Sequence, residues 1–440
     1  MKKDNTRDQF RSQTGFILAC IGSAVGMGNI WMFPIRVHQF GGAAFLIPYL
    51  IFIITIGYTG IVEEMCFGRA FRSGPVGAFE GATQTRGSNI GKYIGYIPVI
   101  GSLGIAIGYS VVVGWIIRFA FGSVTGAVVN ANDSVMYFQE IAGPYGSLIW
   151  HFLAILICFI IMVGGISKGI ERVNKVMMPA FFFLFVSLAI KVSTLEGASE
   201  GYKFLLNPDI NKLKDPLTWI YALGQAFFSL SLAGSGTLVY GSYLSNKEDA
   251  PRSAKFTILF DTFAAILAAG VIIPAIYAYN IETTGGPILM FVTMPTIFKN
   301  MAGGKISSII FFGAVLFAGI TSLINLYETS VELLQQKFGF SRIRAVLIIL
   351  TLGFLVGIYL ENADNLGAWM DALSIYVIPL GALLAGIMFS WVLSKEFILD
   401  EVSKGRSKRI GDSYYIKVKY LYCGVTLLVY ILGLIFGSIG

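Results

Sequence analysis

Residues 22–29 read Gly22-Ser23-Ala24-Val25-Gly26-Met27-Gly28-Asn29 and interrupt an apolar stretch that begins near Thr14. A glycine in a helix interior costs about 1 kcal/mol against alanine, and three fall here within seven residues. Helix breaks at membrane depth persist only where neighbouring protein or a cavity satisfies the freed backbone groups. Small residues also serve close helix packing, which is the competing reading of a single such stretch. A second stretch decides between the two: Ser229-Leu230-Ser231-Leu232-Ala233-Gly234-Ser235-Gly236 interrupts another apolar run. The interruptions fall in the first and sixth apolar spans, five apart, as in two inverted repeats of five helices. Freed carbonyls bind Na+, and half-helix N-termini bind a carboxylate. The expected fold is therefore an all-α membrane protein with broken helices 1 and 6 and a transport site between the breaks.

Composition agrees with lipid as the main solvent. The chain is 55% hydrophobic and 13% charged, with mean hydropathy +0.73, against roughly 25% charged residues in a soluble domain. A helix needs about 20 mostly apolar residues to cross a ~30 Å hydrocarbon core. By that measure eleven spans begin near Thr14, Gly41, Lys92, Gly146, Val173, Leu217, Phe256, Ser307, Ile343, Leu366 and Tyr415.

Basic residues cluster in alternate loops. Lys2, Lys3, Arg7 and Arg11 precede the first span, and Arg69, Arg72 and Arg86 follow the second. Lys168, Arg172 and Lys175 follow the fourth, Lys247, Arg252 and Lys255 the sixth, and Lys337, Arg342 and Arg344 the eighth. Lys404, Arg406, Lys408 and Arg409 follow the tenth. Cytoplasmic loops carry such an excess, so the N-terminus is expected inside and the C-terminus, after an odd number of spans, outside. The net charge of +7 is then topological, the lipid bilayer is the expected surrounding, and nucleic acid is not an expected partner.

No cleavable signal peptide is expected before the first span. Cys20, Cys66, Cys158 and Cys423 lie in apolar runs without CxxC spacing and read as small buried hydrophobes. The expected organisation is a cytoplasmic segment over residues 1–13, a first five-helix repeat over 14–192 and an extracellular loop over 193–216. A second, inverted repeat covers 217–393, a cytoplasmic loop 394–413, and an eleventh helix with a short extracellular end 414–440.

The motifs carry a more specific resemblance. The run from Gly22 to Pro34 resembles the first-helix signature of the neurotransmitter:sodium symporter family, in the bacterial amino-acid transporter branch with the leucine-transporter fold. Further matches run through Gly41 to Tyr49, Glu64 to Arg69, Gly224-Gln225 to Ser231, Tyr240 to Tyr243 and Phe317 to Ser322. Together they cover the chain from about Arg7 to Trp391. Family members usually have twelve spans, so this chain is expected to lack one at its C-terminal end, outside the ten-helix core.

The resemblance implies two bound Na+ ions. The first site resembles the Ala24 carbonyl with Asn29 and Ser229, completed by Asp261 where members often carry Asn. A carboxylate near the bilayer centre costs about 2.5–3.5 kcal/mol on insertion scales, and a bound cation is its expected partner. The second site resembles the carbonyls of Gly22, Val25 and Ala318 with the hydroxyls of Thr321 and Ser322, all neutral oxygen donors suited to a hard monovalent cation. Hydrogen bonding of Thr321 and Ser322 back to their own helix is the competing reading of that pair. For the substrate, the resemblance implies a carboxylate received by the amides near Met27 and Gly28 and by Tyr109. Ser229 and Ser231 would meet the ammonium. Ser23, Ala24 and Gly26 complete the backbone side of the site, and Ile105, Phe228, Gly234, Ser322 and Leu326 line an apolar side-chain pocket.

Amine-transporting members carry Asp where this chain has Gly26, which implies a substrate that brings its own carboxylate. Gly234 stands where a bulky side chain often sits, leaving room for an aromatic one. The resemblance thus implies a sodium-coupled symporter importing a neutral, hydrophobic or aromatic L-amino acid across a bacterial plasma membrane. Asp261 supplies a fixed negative charge almost where chloride-dependent members hold their anion, so chloride independence is expected. The sequence leaves the oligomeric state open.

Several positions depart from the family pattern. Met32 replaces the Arg of the outer gate, whose tenth-helix partner here is Met370 or Asp371 according to register. At the inner gate Arg7 is kept, Gln336 replaces its acidic partner, and Phe10 replaces a Trp. The rival readings are a proton-coupled transporter of the same fold, with Asp261 as carrier, and more remotely a channel. No HExxH or Ser–His pattern supports an enzyme. His38 and His151, near span ends, read as surface or packing residues, and Glu64 and Glu328 as structural hydrogen-bonding acids.

Overall fold

The computed structural model describes residues 8–232, 235–281 and 285–437. Arg7 and Gly234, singled out above, lie outside them, as do Lys2 and Lys3. The first apolar run forms α1 (Gln13–Ala24) and α2 (Gly28–Gln39), which meet at 53° across the glycine break. Ser12 starts α1 by accepting a hydrogen bond from Gly15 N at 3.1 Å, which satisfies one of the free amides of a first helical turn. Next come α3 (Ala43–Phe71), α4 (Gly91–Thr125), α5 (Leu148–Val163) and α6 (Ile166–Ser193). The second break separates α7 (Pro216–Ser229) from α8 (Gly236–Ser242). The remaining long helices are α9 (Ala250–Tyr279), α10 (Gly304–Phe338), α11 (Arg342–Tyr359), α12 (Ala363–Val392) and α13 (Asp412–Phe436).

Among the described residues, eight helices are singly long and apolar enough to cross a membrane, and the bent pair α1–α2 makes a ninth span. The other two of the eleven expected spans fall on α5 and on the α7–α8 pair, which do not reach that length as single helices. α5 has 16 residues, or about 24 Å. It ends at the turn through Gly164 and Gly165, where Gly165 adopts φ +73°, a backbone conformation open mainly to glycine. Other helices begin earlier than their apolar runs. α6 starts at Ile166 instead of near Val173, through a π-turn that carries Lys168. α9 starts at Ala250 instead of near Phe256, because Asp249 caps it and Pro251 fits its first turn. The two long loops are themselves partly helical, over Ala198–Leu206, Ile210–Lys214 and Lys395–Ser403.

Burial separates the core from the lipid face. The apolar window of α4 is 83% buried and that of α10 67%, whereas α6 reaches 28% and α11, α12 and α13 33% each. α4 and α10 lie along one another, and α1 packs against α6, α8, α9 and α10. The broken helices are thus surrounded by protein. α13 rests on α12 at the edge.

A buried charged clamp fixes one end of α3. Arg69 Nε donates to Glu401 Oε1 at 2.7 Å, Nη2 to Glu401 O at 2.6 Å, and Nη1 to Glu248 O at 2.8 Å. Both side chains are almost fully buried. Removing one partner of such a pair costs about 3–5 kcal/mol. An Arg69→Ala variant is therefore expected to be destabilised by that order. Lys203→Ala, which breaks an exposed pair with Glu200, should cost less than about 1 kcal/mol. Thermal unfolding in detergent, followed by a thiol-reactive dye on the four buried cysteines, separates the two.

Candidate functional site

Both breaks are held open by side chains from other helices. α1 ends at Ala24, and Val25 turns out of the helix at φ −70°, ψ 106°. The freed Gly26 amide donates to Asn29 Oδ1 at 3.0 Å and the Met27 amide to Tyr109 Oη at 3.2 Å. Gln225 Nε2 donates to Gly28 O at 3.2 Å. Across the second break, Ser231 adopts φ +52°, and its hydroxyl donates to Ser23 O at 3.2 Å. Asn325 joins the two breaks: it accepts from Ser23 Oγ at 2.7 Å and donates to Gly236 O at 3.2 Å. Sequence reasoning missed Asn325. Its only signal is an amide one turn after Thr321, on the same face of α10.

Two oxygen clusters flank the first break. In one, Asn29 Nδ2 donates to Asp261 Oδ1 at 2.8 Å and to Ser229 Oγ at 3.1 Å, and Ser229 Oγ donates to Asp261 Oδ2 at 2.7 Å. All three residues are buried, and Ala24 ends α1 nearby. The two donors to Asp261 are neutral, and its carboxylate keeps acceptor capacity for a cation.

In the other cluster, Ser322 Oγ lies 3.0 Å from both Gly22 O and Val25 O. A hydroxyl has one proton, so it serves only one of these carbonyls at a time. Thr321 Oγ1 donates to Phe317 O at 2.9 Å or Ala318 O at 3.1 Å, which leaves its lone pairs free. The residues of each expected sodium site are thereby brought together, with donor chemistry that fits a hard monovalent cation.

Between the breaks lies a cavity of about 100 Å³. Ser23, Ala24, Gly26, Met27, Gly28 and Tyr109 form its polar wall, and Ile105, Phe228, Ser231, Ser322 and Leu326 line the remainder as expected. Ser229 is turned away into the Asp261 cluster. Phe227, Met370, Ser374 and Ile378 also line the cavity and were not anticipated. Among the described residues no charged side chain lines it.

Met27, Tyr109, Phe228, Met370 and Ser374 are shared with a vestibule of about 780 Å³. Met32, Met370 and Asp371 all line that vestibule, so both candidates for the outer-gate partner face it. Toward the opposite end Phe10 packs on Phe16 and Tyr240. Next to it, Glu328 accepts from Tyr243 Oη at 2.8 Å and from Arg342 at 2.5 and 2.7 Å. At the expected inner gate, Gln336 Nε2 donates to Arg72 O at 3.3 Å.

Of the two readings expected for the histidines, His151 takes the packing one: it is fully buried, with Nε2 2.9 Å from Ser110 Oγ and Nδ1 3.3 Å from Glu361 Oε1. No local motif marks this Ser–His–carboxylate line, because its members come from three separated segments. It lies in helix packing, and Ser110 also donates to Ile107 O at 2.7 Å, so it reads as structural. His38 packs against Phe204 and Tyr277. Glu328 has the hydrogen-bonding role expected of it, and Glu64 is buried against the backbone of Leu238, whereas its neighbour Glu63 is buried with no hydrogen-bond partner among the described residues.

Two broken helices, oxygen clusters beside the breaks and a cavity opening to one side define a membrane transporter. A profile of the sodium:neurotransmitter symporter family matches residues 7–140 and 132–438. An uncharacterized sodium-dependent transporter of Haemophilus influenzae is 33% identical over 361 residues, 80% of this chain and 79% of its own. The uncharacterized sodium-dependent transporter YhdH of Bacillus subtilis is 31% identical over 429 residues, 94% of each chain. The crystal structure of MhsT in complex with L-phenylalanine has a TM-score of 0.87 at 34% identity, covering 97% of this chain and 99% of that one. The chain belongs to the sodium:neurotransmitter symporter family. It is a sodium-dependent symporter with the leucine-transporter-like fold, in a family of transporters, not enzymes.

The break itself is testable. A Cβ at Gly26 would stand 2.9 Å from both Ser322 Oγ and Tyr109 Oη. Gly26→Ala is expected to lower sodium-driven uptake in proteoliposomes by about tenfold or more, since each 1.4 kcal/mol of misfit is a factor of ten. The purified variant should remain monodisperse on size-exclusion chromatography.

Proposed function

We propose that the protein imports a neutral, hydrophobic or aromatic L-amino acid with two Na+ ions, by alternating access and without chloride. The observation that carries this reading is the convergence of Asn29, Ser229 and Asp261 from three helices beside the first break. In this reading Ala24, Asn29, Ser229 and Asp261 hold one ion. Gly22, Val25, Ala318, Thr321 and Ser322 hold the other.

The substrate carboxylate meets the amides around Met27 and Gly28 and the hydroxyl of Tyr109. Its side chain enters the uncharged pocket of Ile105, Phe228, Ser322 and Leu326. MhsT holds L-phenylalanine, and an aromatic or large apolar substrate is in keeping with a pocket that lacks charge. The vestibule is the extracellular approach, with the N-terminus inside, the C-terminus outside and the chain in a bacterial plasma membrane, as the loop charges favour.

Two ions suffice energetically. At about −100 mV each yields ~2.3 kcal/mol, and a tenfold gradient adds ~1.4 kcal/mol per ion. The sum, ~7 kcal/mol, supports roughly a 10⁵-fold amino-acid gradient.

The test is binding of an amino-acid panel to purified protein in Na+ and then in K+ at matched ionic strength. Hydrophobic or aromatic amino acids are expected to bind only in Na+, and Asp261→Ala to abolish that binding. Sodium-independent, pH-dependent binding would instead make Asp261 a proton carrier. Chloride is checked separately: replacing it with gluconate should leave uptake unchanged, and a several-fold fall would contradict the role given to Asp261.

A further inference from the structure

Asn174 lies in α6 and is fully buried. Its Nδ2 donates to Ile170 O, one turn earlier, at 2.9 Å. That bond sets the orientation of the amide, because turning it over would set two oxygens against each other. The Oδ1 atom therefore faces away from its own helix turn, and among the described residues it has no hydrogen-bond partner. Leaving a buried acceptor unsatisfied is destabilising, and at membrane depth bulk water is not at hand to relieve it.

Gly22 shows where this oxygen points. A Cβ built on Gly22 would collide with Asn174 Oδ1, and it would stand 2.9 Å from Thr321 Cβ and 3.1 Å from Thr321 Oγ1. The carbonyl of the same glycine lies 3.0 Å from Ser322 Oγ. Three helices, α1, α6 and α10, thus meet at a residue with no side chain, and each brings oxygen to the meeting point. Thr321 cannot readily serve as the missing partner, since its one proton is directed at Phe317 O or Ala318 O.

We propose that Asn174 Oδ1 is a further oxygen donor of the second sodium site. This rests on the reading of Gly22, Val25, Ala318, Thr321 and Ser322 as a cation site. An amide oxygen has the hard, neutral character of the other donors, and it brings α6 into direct contact with the ion. Neutrality matters because a carboxylate there would hold the ion by charge and oppose its release. The added oxygen also favours Na+ over Li+, whose smaller shell closes with fewer donors.

The experiment is equilibrium binding of radioactive sodium to the purified full-length chain, with Li+ as competitor, for wild type, Asn174→Ala, Asn174→Asp and Thr321→Ala. Asn174→Ala is expected to weaken one sodium component by about tenfold and to lower the preference for Na+ over Li+, a ratio that general loosening would not move. Asn174→Asp keeps an oxygen in place and should bind Na+ at least as tightly as wild type. Wild-type affinity and selectivity in Asn174→Ala, with weakened binding in Thr321→Ala, overturns the role of Asn174 and leaves the second site standing. Unchanged binding in both Asn174→Ala and Thr321→Ala overturns the second site itself. An aspartate variant as weak as the alanine variant also counts against the donor role, and it decides the question if the alanine variant fails to fold.

Discussion

In hydrocarbon, a backbone amide or carbonyl that has lost its helical partner has no solvent to replace it, and each such group costs several kcal/mol. Two helices are broken here, and the structure is organised around meeting that cost. The amides of Gly26 and Met27 are taken by Asn29 and Tyr109, and the carbonyls of Gly22 and Val25 share the one proton of Ser322. The Ser23 carbonyl is taken by Ser231, while Gln225 adds a second bond to the Gly28 carbonyl, which also accepts from Phe33 N, and Asn325 binds the Gly236 carbonyl. These partners sit on α2, α4, α7 and α10 and in the second break, so the break dictates which helices surround it. It is also why α4 and α10 are the most enclosed long helices, while α13, which contributes nothing to either break, lies at the margin.

The substitutes differ in how easily they yield. A hydroxyl bridging two carbonyls contributes little net stability, since an ordinary hydrogen bond is worth about 0.5–1.5 kcal/mol after water exchange. A cation that ligates both carbonyls and the hydroxyl oxygen displaces that bridge without leaving any group unpaired. Asp261 is a different case. Among the described residues its carboxylate is met by the neutral Asn29 amide and Ser229 hydroxyl, and an ionised carboxylate held by neutral groups pulls strongly on any cation that reaches it. On the proposed reading, one cluster would therefore attract by charge and the other by geometry.

The breaks were legible in the sequence because their cause is local. Glycine and serine clusters weaken a helix wherever they occur, and two clusters five spans apart leave few alternatives. The grouping of Asn29, Ser229 and Asp261 was legible only through family resemblance, since no spacing rule connects Asn29 with residues 200 and 232 positions further on, on separate helices. Asn174 and Asn325 were not legible at all. A single amide in an apolar helix produces no periodicity, and its importance depends on which neighbour it faces. The Ser110–His151–Glu361 line shows the same limit from the other side, as chemistry that looks catalytic becomes structural once its burial is known. Helix ends were misplaced for a simpler reason. Apolar runs record the hydrocarbon thickness, whereas α6 and α9 continue beyond it through capped, polar turns.

The cavity between the breaks shares part of its lining with the vestibule. The opposite side carries Phe10 against Phe16 and Tyr240, together with carboxylates that grip the backbone of other segments. Glu171 accepts from Arg11 N at 2.7 Å and from Ser12 Oγ at 3.0 Å, and Asp8 accepts from Ile166 N at 2.5 Å. The Arg342–Glu328 pair lies within the adjoining helices α10 and α11, so opening this end need not break it. Ser322, Gly22 and Val25 join α1 to α10 beside the first break. On the proposed reading, a cation at that contact would tie the two helices by three oxygens in place of one shared proton and so favour α1 staying against the bundle.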